Sequence, residues 1–231
     1  MARIIAVLLL ATAAAAGGGC VVGQQIPFQV QTPRLYARGA ASISLAVEDQ
    51  RDEVRSGERK PDFCGFMRSG FGIPYQVTTA SNAPLASDFA DIVARGLRVN
   101  GFRVLVVVAP PNQPEAATLQ ALASGAADLS LLIRISEWKS DTLTRTTLTY
   151  RAAAQLRDRQ GQVIAESFIT GKDALPGDFL DPMAKMKETV PDATRANLEH
   201  LLNDPSIARA LASASALPPV APAAAGSGPD S

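Results

Sequence analysis

Histidine occurs once in this 231-residue chain, at His200, and tryptophan once, at Trp138; cysteine occurs twice, at Cys20 and Cys64. Structural zinc takes four Cys or His ligands and catalytic zinc usually three protein ligands, so the composition argues against an all-protein zinc site. A Cys–His nucleophilic pair lacks support as well, because the one histidine lies far from Cys64 in sequence. Charge of one sign is also missing: 22 basic residues balance 22 acidic ones. Nucleic-acid binding needs a clustered excess of Lys and Arg to meet the phosphates, and no such cluster occurs. Aromatic residues make up only 5%, and the 47% hydrophobic share is swollen by alanine at the two ends. A core must therefore come from the middle of the chain. No motif implies a cofactor.

What is present begins with an address. Residues 1–20 read MARIIAVLLLATAAAAGGGC: one basic side chain, an apolar stretch too short to span a bilayer stably, and small residues at its end. This is the pattern of a cleaved secretory signal peptide over 1–19. The segment resembles bacterial lipoprotein precursors, in which small residues precede a cysteine that is lipidated and becomes the new N-terminus. Cys20 would be that residue, with Gly18 and Gly19 fitting the pattern and Gly17 standing where a leucine is usual. The alternative is ordinary cleavage that leaves Cys20 a plain thiol. Val21, rather than an aspartate, follows the cysteine, and by that resemblance points to the periplasmic side of the outer membrane. Acyl chains there would hold the protein with about 0.8 kcal/mol for each buried methylene. Cys64, in the apolar setting DFCGFM, reads as a buried thiol; an intermolecular disulfide or a Cys20–Cys64 bridge is the other reading.

Residues 20–41 contain two prolines and no sustained period, which reads as a lipid-anchored tether. The body is expected over 42–202. In SISLAVE, Ile43, Leu45 and Val47 alternate with small residues as in a half-buried strand. A charged stretch over 48–62 follows, opened by Asp49 and Arg51, which either order the loop or form a binding edge. Gly65, Gly70 and Gly72 lack the phosphate-loop signature and suit turns around a short edge strand bearing Pro74. Asn82 and Pro84 introduce a helix whose Leu85, Phe89, Ile92, Val93 and Leu97 share one face. Phe102–Val108 is apolar on both faces and so reads as a central strand. A short Ala-rich helix precedes three strands in a meander over 128–138, 148–156 and 163–169, with a turn at 158–161. Trp138 is either a core cap or an exposed docking residue. Asp181–Pro182 opens a further helix, which Pro191 is expected to interrupt or restart. Residues 203–231 read as a weak helix and a disordered Ala/Pro-rich tail.

The order of elements predicts an α/β (α+β) domain: a single mixed, largely antiparallel sheet with helices packed on one face. Phe89, Ile92, Val93, Val104, Val106, Leu131, Ile133, Tyr150 and Leu156 are expected in its core. The Asp49-x-Arg51 unit ending the first strand, the long helix, the Gly101–Phe102 start of the next strand and Gly161 in the meander hairpin together resemble the YajG-like family of bacterial outer-membrane lipoproteins, over roughly residues 42–175. The resemblance implies a lipid-anchored envelope protein with no established catalytic activity.

Three function classes follow. The leading one is a non-catalytic binding or structural module for another envelope protein, docking through a sheet edge or helix face, with Asp49, Arg51 and Trp138 as candidate interaction residues. The second is a transport-linked lipoprotein that binds lipid or an apolar molecule in a groove. The third is an envelope hydrolase using Asp49, Glu137 or Ser140, for which no spacing brings an acid and a base together. The oligomeric state has no sequence signature. The anchor has a direct test: fatty-acid labelling and globomycin-sensitive processing are expected in the parent chain and lost in Cys20→Ser, and labelling that survives the substitution would exclude Cys20 as the site.

Overall fold

A computed structural model describes residues 23–214; the expected signal peptide, Cys20 and the chain beyond Ala214 lie outside them. In chain order the elements are β1 (Gln24–Ile26), a 3-10 turn (Phe28–Val30), β2 (Ser42–Asp49), α1 (Asp52–Arg55), β3 (Phe63–Arg68), β4 (Pro74–Thr79), α2 (Leu85–Val99), β5 (Arg103–Val106), α3 (Glu115–Ser124), β6 (Leu129–Thr142), β7 (Thr146–Arg157), β8 (Val163–Leu175), α4 (Pro182–Leu202) and α5 (Pro205–Ala214). All eight strands join one mixed sheet, as the pattern of elements predicted. Its longest ladders are the antiparallel β6–β7 and β7–β8 pairs.

The sheet branches at β6. One edge of this strand pairs with β7 throughout. Its other edge is shared: β2 runs parallel to it from Leu129 to Ile135, and β3 runs parallel to it from Ser140 to Thr142. Beyond β3 lie β4 and then β1, and beyond β2 lies β5. Where β3 meets β6 the backbones approach closely. A Cβ on Gly65, whose φ is +156°, would sit 2.3 Å from the Ser140 carbonyl oxygen, so only glycine fits there.

The main core lies between the sheet and the helices α2, α4 and α5. Leu85, Phe89, Ile92, Val93 and Leu97 of α2 are all fully buried against Leu45, Leu131 and Ile133, which is what their spacing near 3.6 residues requires. Of the other expected core residues, Leu156 is fully buried, while Val104, Val106 and Tyr150 are half-buried and packed against the same cluster. An aromatic file crosses the core: Phe28 meets Phe89 at 5.8 Å, Phe89 meets Trp138 edge-on at 4.8 Å, and Trp138 meets Tyr150 at 5.7 Å. A smaller patch, in which Leu122 of α3 covers Ala46 and Leu132, lies on the opposite pleat of β2 and β6.

Some expectations need correction. Residues 24–41 are not a tether: Ile26 and Phe28 are fully buried, β1 pairs with β4, and the following stretch is tied to α4. There Glu199 accepts from the Arg34 amide, Asn203 accepts from the Tyr36 amide, and the Asn203 amide group donates to the Arg34 carbonyl. A three-residue strand has no period to read, so this integration left no pattern. The Phe102–Val108 segment is not central. It forms the outermost strand of its branch, apolar on both faces because its outer pleat leans on the α3 patch through Val107. Pro74 does sit at an open margin, since β1 covers β4 only from Val77 to Thr79. Asn82 does not cap α2; it occupies a left-handed turn at φ 57° and accepts from Gln25. Pro191 lies inside an unbroken α4, whose N-terminus is capped as expected by the Asp181 side chain accepting from the Ala184 amide.

Gly65→Ala is expected to lower stability by about 3 kcal/mol, because the added methyl cannot be accommodated without prising β3 from β6. Urea unfolding reads this directly, and an unchanged midpoint would contradict the close approach.

Candidate functional site

Three sequence-predicted residues are brought together by the fold, but inside it. β2 ends at Asp49, opposite Ile135, and the chain then leaves the β6 edge before β3 takes it up at Ser140. The carbonyls of β6 between those points need other donors, since a buried backbone acceptor without a partner is costly. The Gln50 amide donates to the Ile135 carbonyl at 2.8 Å, and Arg51 Nη1 donates to the Trp138 carbonyl at 3.3 Å and to the Phe63 carbonyl at 2.7 Å. Asp49 holds the guanidinium in a two-pronged pair, Nε to Oδ1 at 2.8 Å and Nη2 to Oδ2 at 2.6 Å. Neither side chain is more than 1% exposed.

Trp138 is fully buried, with its indole N–H donating to Thr194 Oγ1 of α4 at 3.3 Å. Asp49, Arg51 and Trp138 are thus removed from any partner's reach. Of the groups considered for hydrolysis, Asp49 is committed to Arg51 and the buried Ser140 hydroxyl donates to the Cys64 carbonyl. Cys64 is a buried free thiol whose Sγ donates to the Val77 carbonyl, and burial pushes its pKa well above the ordinary thiol range. A thiolate nucleophile does not form in such a setting. His200 is exposed on α4. No cluster of three metal-ligating side chains occurs among the described residues.

The accessible features gather instead around β5, which sequence reasoning passed over by reading that strand as central. The Arg103 amide donates to the Ala41 carbonyl and the Val107 amide to the Leu45 carbonyl. Alternation then turns the main-chain groups of Val104 and Val106 away from β2, toward the open edge. Arg98 of α2 donates to the Val104 carbonyl, so the free pairing edge begins at Val106. Beside it Leu105 is 53% exposed and Val108 75%.

An open groove of about 390 Å³ runs between β5 and the turn before β6, lined by Ser42, Arg103, Leu105 and Gly125 among others. It contains none of Asp49, Glu137 and Ser140. Asp128 braces this region, accepting from both the amide and the hydroxyl of Ser42 at 2.7 Å and pairing with Arg159. The backbone and hydroxyl bonds from Ser42, with the Arg159 charge, hold its carboxyl below the usual range. On the outer pleat Arg134 pairs with Glu115 and lies 3.8 Å from Glu48, which fastens the start of α3 to β2 and β6.

No family model matches the chain, and no curated protein matches it. Among solved structures it is similar to protein XCC0632 from Xanthomonas campestris, described under the family model DUF330, with 16% identity, a TM-score of 0.46, and 79% of this chain and 95% of that one covered. It is also similar to PelC from Paraburkholderia phytofirmans, described as a dodecamer, at 15% identity and a TM-score of 0.41 over 75% of this chain and 92% of that one. Lipoprotein GNA1162 from Neisseria meningitidis is similar at 15% identity and a TM-score of 0.30 over 71% and 99%. None of these descriptions names the YajG-like family, so that resemblance stays with the motifs that carry it.

Arg51→Met is expected to cost about 3–5 kcal/mol, because it strands a buried carboxylate and two carbonyls, whereas Asp49→Leu combined with Arg51→Met recovers part of that loss. Chemical unfolding of the three chains measures it. A single-variant cost below about 1 kcal/mol, typical of a surface pair, would show that the pair is not a buried junction.

Proposed function

We propose that the protein is a lipid-anchored, non-catalytic envelope module that docks an extended segment of another envelope protein onto the open edge of β5. The observation that carries this reading is the combination at Val106: outward-facing main-chain groups, exposed Leu105 and Val108 on either side, and an adjoining groove. Strand addition needs little more than this, since main-chain hydrogen bonds supply affinity and alternate side-chain pockets supply selectivity. The groove is shallow and open, which suits a side chain of a docked strand better than an enclosed small molecule. Of the groups considered for catalysis, Asp49, Ser140 and Cys64 are buried and committed to internal partners. No helix among the described residues is long and apolar enough to cross a membrane, and the membrane attachment in this reading is the lipid on Cys20.

The test replaces Leu105 with a photocrosslinking amino acid in intact cells, with Phe168 on β8 as the control position. A specific protein adduct is expected from position 105. Val106→Pro removes an outward-facing donor along with part of the half-buried Val106 packing, so it should lower thermal stability only modestly, with the chain still folded at the temperature of the assay, while lowering the adduct roughly tenfold, equivalent to about 1.4 kcal/mol of lost edge bonding. An adduct that persists in Val106→Pro, or none at 105, would refute docking at this edge.

A further inference from the structure

The three most exposed large apolar side chains of the described residues are Phe71 at 95%, Leu180 at 92% and Phe179 at 83%. They lie far apart in sequence, yet the topology gathers them at one end of the sheet. β3 runs parallel to β6 and reaches that end at Arg68, the β3–β4 turn carries Phe71 and Ile73, and the β6–β7 turn carries Leu143. β8 returns to the same end at Leu175, opposite Thr146, and the link to α4 carries Phe179 and Leu180. Ile73 and Leu143 are exposed as well. With strands about 4.8 Å apart, these turns form a row roughly 20 Å long.

The turns are held rigid. Ser69 accepts at its hydroxyl from the amides of Phe71 and Ile73 while its own amide donates to the Ile73 carbonyl. Asp178 accepts from the amides of Leu180 and Asp181, and Arg68 is paired with Asp141 between the first two turns at 2.5 Å. Apolar side chains fixed outward in this way on several separate turns are not covered by anything within the described chain.

The direction of β1 says what covers them. β1 is parallel to β4, with Gln24 level with Val77, so the N-terminal end of β1 lies on the side of the sheet that holds Pro74 and Phe71. Val77 lies about 10 Å from the level of Pro74 at strand spacing. Four residue-to-residue steps lead from Gln24 to Cys20, a reach of at most about 14 Å. The far end of the sheet, at Leu129 of the 14-residue β6, is about 45 Å from Thr142, well outside that reach. An anchor on Cys20 therefore brings a bilayer to the apolar row and to no other end of the sheet.

We propose that this end, made of the 69–73, 143–145 and 176–181 turns, is a membrane-contact surface on which Phe71, Leu143, Phe179 and Leu180 enter the lipid headgroup region. Shallow burial of apolar side chains, added to a covalent lipid, is the two-part attachment that makes anchoring stable and fixes orientation. The proposal rests on the reading of Cys20 as the anchored residue.

The test uses the mature chain, coupled through Cys20 to maleimide-bearing vesicles of phosphatidylethanolamine and phosphatidylglycerol that contain brominated phosphatidylcholine. Chemical coupling makes the result independent of biological acylation, which the Cys20→Ser labelling decides separately. Fully buried Trp138 supplies a constant fluorescence baseline. Phe71→Trp, Leu143→Trp and Leu180→Trp are each expected to add emission that bromolipid quenches at least twofold, whereas Ile164→Trp, at the opposite end, adds emission that is not quenched. Unquenched emission at the three turns, or equal quenching at position 164, would overturn the proposal. A blue shift that grows with protein concentration in the absence of vesicles would overturn it too, by showing that the row is covered by a second copy.

Discussion

The Asp49–Arg51 pair decides whether this sheet can branch. A strand has two edges, and β6 supports three neighbours only because β2 and β3 divide one edge between them. At the division the ladder is broken, and β6 itself carries a bulge between Ile135 and Glu137 on the β7 side. A guanidinium suits the gap because it is a planar fork with five donors, enough to satisfy a carboxylate and reach the carbonyls of two different strands. Lysine could supply the charge but not the fork. The pair thereby joins the part of the sheet that bears β5 to the part that bears β3, β4 and β1, and the aromatic file through Trp138 packs directly beside the junction.

This arrangement explains what the sequence could and could not disclose. The α2 helix and the meander were legible because each repeats a local period over many residues, and buried periodicity is a direct trace of a core. Asp49 and Arg51 sit at the start of a run of charges, and charge runs are ordinarily solvated. Only the branch in the sheet, a property of strands distant in sequence, draws these two inward. β5 misled for a related reason: apolar character on both pleats marks cover on both faces, not neighbours on both edges, and α3 supplies the second cover for a strand with an open edge. Trp138 was readable as core but not as the point where the Arg51 guanidinium, α2 and α4 converge.

The N-terminal stretch shows the same limit with a larger consequence. A segment of two prolines and scattered polar residues reads as a spacer, and a spacer would let the body stand away from a membrane. Once Ile26 and Phe28 are in the core, the slack between the folded body and Cys20 falls to a few residues. Under the proposed anchoring at Cys20, attachment sets orientation as well as location. The open edge of β5 pairs beside Leu129–Ile133 through β2, about ten residues along β6 from the Thr142 end, or roughly 33 Å at strand spacing. In the proposed arrangement, a body held at the Thr142 end by lipid and apolar turns would present Val106 away from the bilayer, where an extended segment of a partner would reach it without competing with the membrane for the same surface. The two proposed attachments are separable because the Asp49–Arg51 junction lies between them and ties β2, β3 and β6 into one sheet.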